Sequence, residues 1–339
     1  MNIPVNTAFY GTPADEREYL AKRFKGIGLK IDTTYDEHCI GPDNLPPKGD
    51  AAILGVFVDS KVNAAVMDRF PNLKLIVTLS TGFDHIDLAE AKRRGITVCT
   101  VPSYGENTVA EFAFGLILTL SRKLYAATYR VKDTGNFDTE GLRGFDLSGK
   151  TIGVIGTGKI GRHSIAMAKG FDMKVIAYDP YPNEKLAKDM GFSYVSLDEL
   201  LKQSDIATIH VPYMKETHHL INSSALSKMK PTALLINTSR GAVVDTDALV
   251  DALKNEKLAG AGLDVLEDES DLKPGSAAPA NTADKRLLLE DHELMKMPNV
   301  VVTPHNAFNT DEALRRILDT TVDNIKGWLD GKPVNTVKA

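Results

Sequence analysis

Cysteine is nearly absent. Only Cys39 and Cys99 occur in 339 residues; neither CxxC nor metal-ligand spacing is present, which excludes a disulfide framework and suits reduced thiols in a cytosol. A basic excess is also missing: the net charge is −5, and Lys and Arg are scattered among acids rather than gathered in a stripe. Nucleic acid is therefore not an expected partner. Nor does any apolar run reach the roughly 20 residues needed to cross a bilayer. The greasiest helix candidate, 107–120, carries Glu111 and Gly115 and reads as buried. The first 16 residues hold no Lys or Arg and include Pro4, Pro13, Asp15 and Glu16, the wrong pattern for a secretory signal. A cytoplasmic protein without a membrane partner is expected.

What is present is an ordinary globular composition, 43% hydrophobic and 25% charged, in a chain long enough for two domains with substantial cores. The most informative stretch starts at Thr151-Ile152-Gly153-Val154-Ile155, a strand that runs into Gly156-Thr157-Gly158-Lys159-Ile160-Gly161. A second strand, 174–178, closes on Asp179, 18 residues after Gly161. This is the order of a dinucleotide-binding unit. Gly156 permits the tight turn, Gly158 lets backbone approach a pyrophosphate, Gly161 allows helix and strand to pack closely, and helix amides meet the phosphate charge. A carboxylate at Asp179 accepts from ribose hydroxyls and repels a 2′-phosphate, which favours NAD over NADP. Residues 153–159 also spell GxxxxGK, but Ile160 stands where a nucleoside-triphosphate loop needs Ser or Thr for magnesium.

Short apolar runs on both sides of this loop alternate with helical patterns. Before it, 51–58, 73–79 and 96–101 read as parallel strands, with helices near 62–70 and 85–94. After it come strands at 174–178, 206–211, 233–237, 259–265 and 300–303, with helices at 197–203 and 246–255. The glycine loop lies mid-chain and a last helix, 311–329, must return. The expected fold is therefore α/β: a Rossmann nucleotide domain, 103–307, inserted into a discontinuous flavodoxin-like domain formed by 1–102 and 308–339. Both are doubly wound parallel sheets, and ligands are expected in the cleft between domains. Residues 270–284, rich in Pro, Ala, Ser and Asp, read as a surface loop, with a lid as the alternative.

Strand ends are where doubly wound sheets bind ligands, and three stand out. Residues 233–237 lead to Thr238-Ser239-Arg240-Gly241, 259–263 to Asp264 and the acids Glu267-Asp268-Glu269, and 300–303 to Pro304-His305. For carbonyl reduction, nicotinamide carries the hydride and the protein orients substrate and supplies a proton. The planar fork of Arg240 suits an α-keto acid's carboxylate. His305 can give and take the proton, and a neighbouring carboxylate would orient its ring and favour its charged form. Glu269 is assigned that place, with Glu267 as the competitor. His218-His219 is not read as a metal pair, because adjacent side chains diverge and no acid or Cys completes the set; no metal is expected.

These motifs together resemble the D-isomer-specific 2-hydroxyacid dehydrogenases over essentially the whole chain. They comprise 156–161 with Asp179, Ile236-Asn237-Thr238-Ser239-Arg240-Gly241 with Val244-Asp245, Gly262-Leu263-Asp264-Val265 with Glu269, and Thr303-Pro304-His305. The resemblance implies a homodimer with NAD, and catalytic residues Arg240, His305 and Glu269, the last in the family register five residues after Asp264. It places Asp264 near the nicotinamide, Lys159 and Ile160 at the pyrophosphate, and Val211, Pro212, Thr217, Thr238, Ser239 and Thr108 along the cofactor. Thr81 and Gly82 fall beside the substrate carboxylate. Phe308 and Tyr104 look like the D-lactate dehydrogenase branch, which implies reduction of pyruvate or a slightly larger 2-keto acid. A glyoxylate or hydroxypyruvate reductase is the alternative within the family, and a non-catalytic NAD sensor the alternative outside enzymes.

Overall fold

The computed structural model describes residues 5–267, 269–272 and 282–337. The chain divides into two compact units, Met1–Tyr104 with Thr310–Ala339 and Gly105–Asn309.

In the first unit, strands β1 (Val5–Tyr10), β2 (Ile31–Asp36), β3 (Ile53–Val56), β4 (Leu75–Thr78) and β5 (Thr97–Cys99) form one sheet in the order β2-β1-β3-β4-β5. Every pairing is parallel, and the order is that of flavodoxin-like folds. The central strands β3 and β4 are buried along their length, as continuous apolar runs covered on both faces should be. Gly55 belongs to this packing: a Cβ there would lie 2.3 Å from the Phe9 ring. The helix Asp311–Leu329 returns to this unit, capped by the Thr310 side chain, and its buried Asn324 donates to the Thr100 carbonyl at 2.8 Å. Beyond it the chain pairs with the edge of β5, Val337 N–H donating to Val98 O at 2.9 Å, so that edge is not left open.

In the second unit, β6 (Thr151–Ile155), β7 (Lys174–Tyr178), β8 (Ser193–Tyr194), β9 (Ile206–Ile209), β10 (Leu234–Asn237), β11 (Gly260–Leu263) and β12 (Val300–Val302) form a seven-stranded parallel sheet. The order is β12-β11-β10-β9-β6-β7-β8, which reverses direction between β6 and β9 and so puts the ligand crevice of a Rossmann fold beyond their carboxyl ends. Two apolar clusters flank the sheet. One contains Ile155, Ile209, Leu235 and Leu249; the other contains Ile117, Ile152, Ile165 and Ile236. The helix Glu106–Ser121 is buried through eight residues, from Thr108 to Ser121.

Both sheets therefore have the architecture expected for this α/β fold. The sequence reading missed β1, β2 and the helix Ala14–Gly26, because β2 is a half-exposed edge strand of polar and apolar residues and lacks the apolar run that marked the others. It also missed the helix Leu124–Thr134, which buries no residue and so shows no core-facing stripe. The stretch 270–284, expected to be a loop, begins inside a short 3-10 turn, Glu269–Leu272, and ends inside the helix Thr282–Lys296. Its centre, 273–281, lies outside the described residues. Among the described residues, no helix is long and apolar enough to cross a membrane.

Candidate active site

At the carboxyl end of β6 the chain turns at Gly156, whose φ of +93° is open to glycine and strained for other residues. The helix Lys159–Gly170 begins at once. Its packing is close: a Cβ on Gly161 would sit 2.0 Å from the Gly156 carbonyl oxygen, whereas one on Gly158 would meet nothing within 4 Å. No side chain among the described residues caps this helix, which leaves its first amide donors suited to an anion. Lys159 stands on the first turn, 3.2 Å from Glu106, and Ile160 is half-buried.

Asp179 follows β7. Its Oδ2 accepts from the Thr157 N–H and hydroxyl, both at 2.8 Å, and its Oδ1 from the Tyr181 N–H at 2.9 Å. Since the Thr157 hydroxyl has one proton, the Tyr194 hydroxyl at 2.8 Å is the donor to it. The acid is thus held in place by the glycine loop itself. After β9, Val211 is buried and Pro212 exposed. Thr217 folds that loop, donating to Pro212 O at 2.7 Å and accepting from Met214 N at 2.8 Å. Thr108 is buried in the first turn of its helix.

The next strand end is organised by a residue to which the sequence reading gave no role. Buried Asn237 accepts from the Ser239 N–H and hydroxyl, at 3.0 and 2.8 Å, and donates to the Arg240 carbonyl at 2.9 Å. This is a side chain standing in for backbone turn bonds; an Asn two residues before Ser at a strand end was the available signal. Within the loop, the Thr238 hydroxyl is buried without a hydrogen-bond partner among the described residues, an orphaned polar group where a bound dinucleotide would supply one. The open helix terminus, the ribose-ready carboxylate and this hydroxyl fit NAD.

Gly241 comes next, and a Cβ there would lie 2.0 Å from Leu266 C and 2.3 Å from Glu267 N. The Arg240 loop is therefore pressed directly on the turn that follows β11. From that turn Glu269 Oε1 meets His305 Nδ1 at 2.5 Å. Glu267, the competitor, faces away: both its carboxylate oxygens lie against His219 Nε2, at 3.0 and 3.2 Å.

His305 has a φ of +51°, a left-handed conformation that costs a non-glycine residue free energy unless its surroundings impose it. Asp264 imposes it. Its backbone carbonyl accepts from His305 N at 2.8 Å, and its carboxylate accepts from the Thr303 hydroxyl, Asn306 N and Ala307 N at 2.5, 2.8 and 2.8 Å. Burial raises Asp264 above the usual carboxylate range, opposed by these donors and by nearby His305. The resemblance put Asp264 near the nicotinamide; in the structure both its oxygens are engaged by the 303–307 turn. Phe308 follows, half-buried.

Thr81, Gly82 and Tyr104 belong to the first unit. Thr81 is exposed on the loop after β4 and donates to Val101 O at 2.7 Å, and the Gly82 carbonyl accepts from Ser80 at 2.6 Å. One further expectation is corrected. His218 and His219 do not diverge: their rings stack with centroids 3.9 Å apart, because His219 adopts a left-handed φ of +48° that folds its ring back over its neighbour.

The stretch 114–307 matches the model of the D-isomer specific 2-hydroxyacid dehydrogenase NAD binding domain. D-lactate dehydrogenase of Escherichia coli is 35% identical over 329 residues, which cover 96% of this chain and 97% of that protein. A glyoxylate reductase of Thermofilum pendens is 44% identical over 288 residues, 83% of this chain and 79% of the relative. Among solved structures, D-lactate dehydrogenase from Aquifex aeolicus complexed with NAD and lactic acid is 38% identical with a TM-score of 0.85, covering 98% of this chain and 100% of that one.

Proposed function

Because the chain belongs to the D-isomer-specific 2-hydroxyacid dehydrogenases, NAD-dependent oxidoreductases, we propose that it reduces pyruvate to D-lactate with Arg240, His305 and Glu269 as its catalytic residues. The observation that carries the assignment is the contact of His305 Nδ1 with Glu269 at 2.5 Å, at a strand end beside the loop that bears Arg240. NAD, when bound, carries the hydride. Arg240 holds the keto acid's carboxylate through paired donors and thereby turns the carbonyl toward the coenzyme. Glu269 anchors Nδ1–H of His305, which leaves Nε2 as the nitrogen that meets the carbonyl oxygen. His305 gives a proton to that oxygen in reduction and recovers it in oxidation. Asp264 holds the strained turn from which the histidine projects. Along the coenzyme, Gly156, Gly158, Lys159, Ile160 and Gly161 receive the pyrophosphate, Asp179 the ribose, and Thr108, Val211, Pro212, Thr217, Thr238 and Ser239 the rest, with Asp264 near the nicotinamide. Thr81, Gly82, Tyr104 and Phe308 are assigned to the substrate.

Similarity to D-lactate dehydrogenases along nearly the whole chain supports pyruvate, and aromatic Phe308 after the histidine turn suits a small, narrow substrate. The 44% identity to a glyoxylate reductase favours a second reading, reduction of glyoxylate or hydroxypyruvate. Turnover on pyruvate, 2-ketoisocaproate, phenylpyruvate, glyoxylate and hydroxypyruvate separates them: the highest kcat/KM should fall on pyruvate, and a higher value for glyoxylate would replace it. Arg240→Ala should lower turnover and raise KM for the keto acid; unaltered kinetics would remove Arg240 from the mechanism.

The working enzyme is proposed to be a cytoplasmic homodimer. Support comes from the helix Leu124–Thr134, which leaves Leu124, Tyr125, Tyr129 and Val131 exposed, and from Phe137 beyond it, 90% exposed. Such an apolar face on one segment is what a second copy would cover. Sedimentation at the monomer mass would overturn the dimer.

A further inference from the structure

His218, His219 and Glu267 each offer one ligand atom, and all three atoms lie within 4.8 Å of one another. We propose that they form a binding site for a divalent transition metal of the zinc class, separate from the Arg240, Glu269 and His305 set. The backbone makes this cluster possible. Adjacent residues in extended chain point apart, but the left-handed φ at His219 brings both rings to one side, stacked at an interplanar angle of 22°. His219 is anchored, its N–H donating to Ala242 O at 2.9 Å.

The surroundings orient the donors. His218 Nδ1 faces the Tyr213 hydroxyl at 3.4 Å, and His219 Nδ1 faces Asp245 Oδ2 at 4.0 Å. With Nδ1 of each ring turned toward these groups and His219 Nε2 already against Glu267, Nε2 is the nitrogen each ring offers a shared ion, and the Asp245 charge, too far for a hydrogen bond, favours a cation there. The carboxylate of Glu267 already lies 3.0 Å from His219 Nε2, close to the roughly 3.3 Å between neighbouring ligands that tetrahedral bonds of about 2.0 Å require. The Thr246 hydroxyl donates to Glu267 Oε2 at 3.4 Å and orients it further. His218 is exposed and can close the remaining gap by turning its ring. Two imidazoles and a carboxylate are a zinc-type donor set with a fourth position left to water. A metal here would clamp the loop after β9, the start of the helix Thr246–Lys254 and the turn after β11.

The test is titration of the untagged protein with Co2+ and Zn2+, reading the visible absorption of tetrahedral Co2+ and its displacement by Zn2+. One equivalent should bind saturably, with a rise in Tm. His218→Ala and Glu267→Gln should each weaken binding by about 100-fold or more, and Asp245→Asn, which keeps the helix cap, by about tenfold. His292→Ala, at a histidine outside the cluster, should bind as the wild type does. Thermal melts show whether each variant is folded, and Asp245→Asn leaves both metal donors and cap in place should another variant fail. Absence of saturable binding, or binding that survives both His218→Ala and Glu267→Gln, would overturn the site. None of these readouts depends on enzymatic turnover.

Discussion

Gly241→Ala probes the contact that couples the proposed substrate-binding loop to the turn carrying Glu269. The added Cβ would lie 2.0 Å from Leu266 C, 2.1 Å from Leu266 O and 2.3 Å from Glu267 N. All three are backbone atoms, so no rotamer change relieves the overlap. Restoring a contact near 3.5 Å means separating the two segments by on the order of 1.5 Å. Two consequences follow. Overpacking of this size costs about 1–3 kcal/mol of stability. The Arg240 loop and the Glu269 turn also lose register, and a misplacement of about 1 Å is enough to cost roughly 10²-fold in rate. Steady-state kinetics with NADH and pyruvate should show kcat/KM down by that order. NADH affinity, measured by fluorescence titration, should change less, because the glycine loop after β6 and Asp179 lie outside this contact and, of the residues assigned to the coenzyme, Thr238 and Ser239 share the Arg240 loop. A Gly241→Ala enzyme that melts lower yet keeps kcat/KM within a factor of a few would refute the coupling. Equal losses in NADH affinity and kcat/KM would place the damage at the coenzyme instead.

Glu16 is pushed up to about 7, by burial first and then by neighbouring Asp15. A carboxyl raised in the folded state contributes full stability below its unfolded value and loses it as pH rises through about 7. Glu16→Gln should therefore raise Tm at pH 8 and leave it unchanged at pH 4, and equal shifts at both would rule out the ionisation. His210 is pushed down to about 4 by burial, with Nε2 2.9 Å from Ser164 and 3.0 Å from Thr208. A histidine lowered from 6.5 stabilises above that value and loses its contribution as pH falls toward 4, about 3 kcal/mol once fully protonated. Denaturant melts of His210→Gln should have a flatter stability slope between pH 6.5 and 4; a slope matching the wild type would acquit His210. Asp179→Ser should shift the NADPH-to-NADH ratio of kcat/KM upward by removing the charge that repels a 2′-phosphate. It also strips acceptors from Thr157 and Tyr181, so turnover with NADH should fall, and an unmoved coenzyme ratio would take discrimination away from Asp179.

The parts legible before any tertiary structure were those whose signal is local. The strand Thr151–Ile155, the glycines at 156, 158 and 161 and the acid closing β7 form a near-continuous stretch, and each residue type has a steric or electrostatic reason to stand where it does. The helix Asp311–Leu329 and the apolar strand centres were visible for the same reason: buried faces impose a periodicity on contiguous residues. Even the three candidate strand ends could be picked out, because an α/β sheet sends its ligands to one edge.

Other features exist only once distant segments meet. Whether Glu267 or Glu269 takes His305 depends on how one turn packs against Gly241 and against His219, contacts that span tens of residues and leave no local pattern. Asp264 shows the same limit. The resemblance places it near the nicotinamide, and only the assembled backbone shows that its carboxylate also accepts from Thr303, Asn306 and Ala307. Polar β2 became a strand because β1 offered it a parallel partner, and His218 and His219 came together through one left-handed residue. Periodicity and turn chemistry act within a few residues and are written in the chain, while the choice among equivalent polar partners is a difference between long-range contacts that only the assembled backbone resolves.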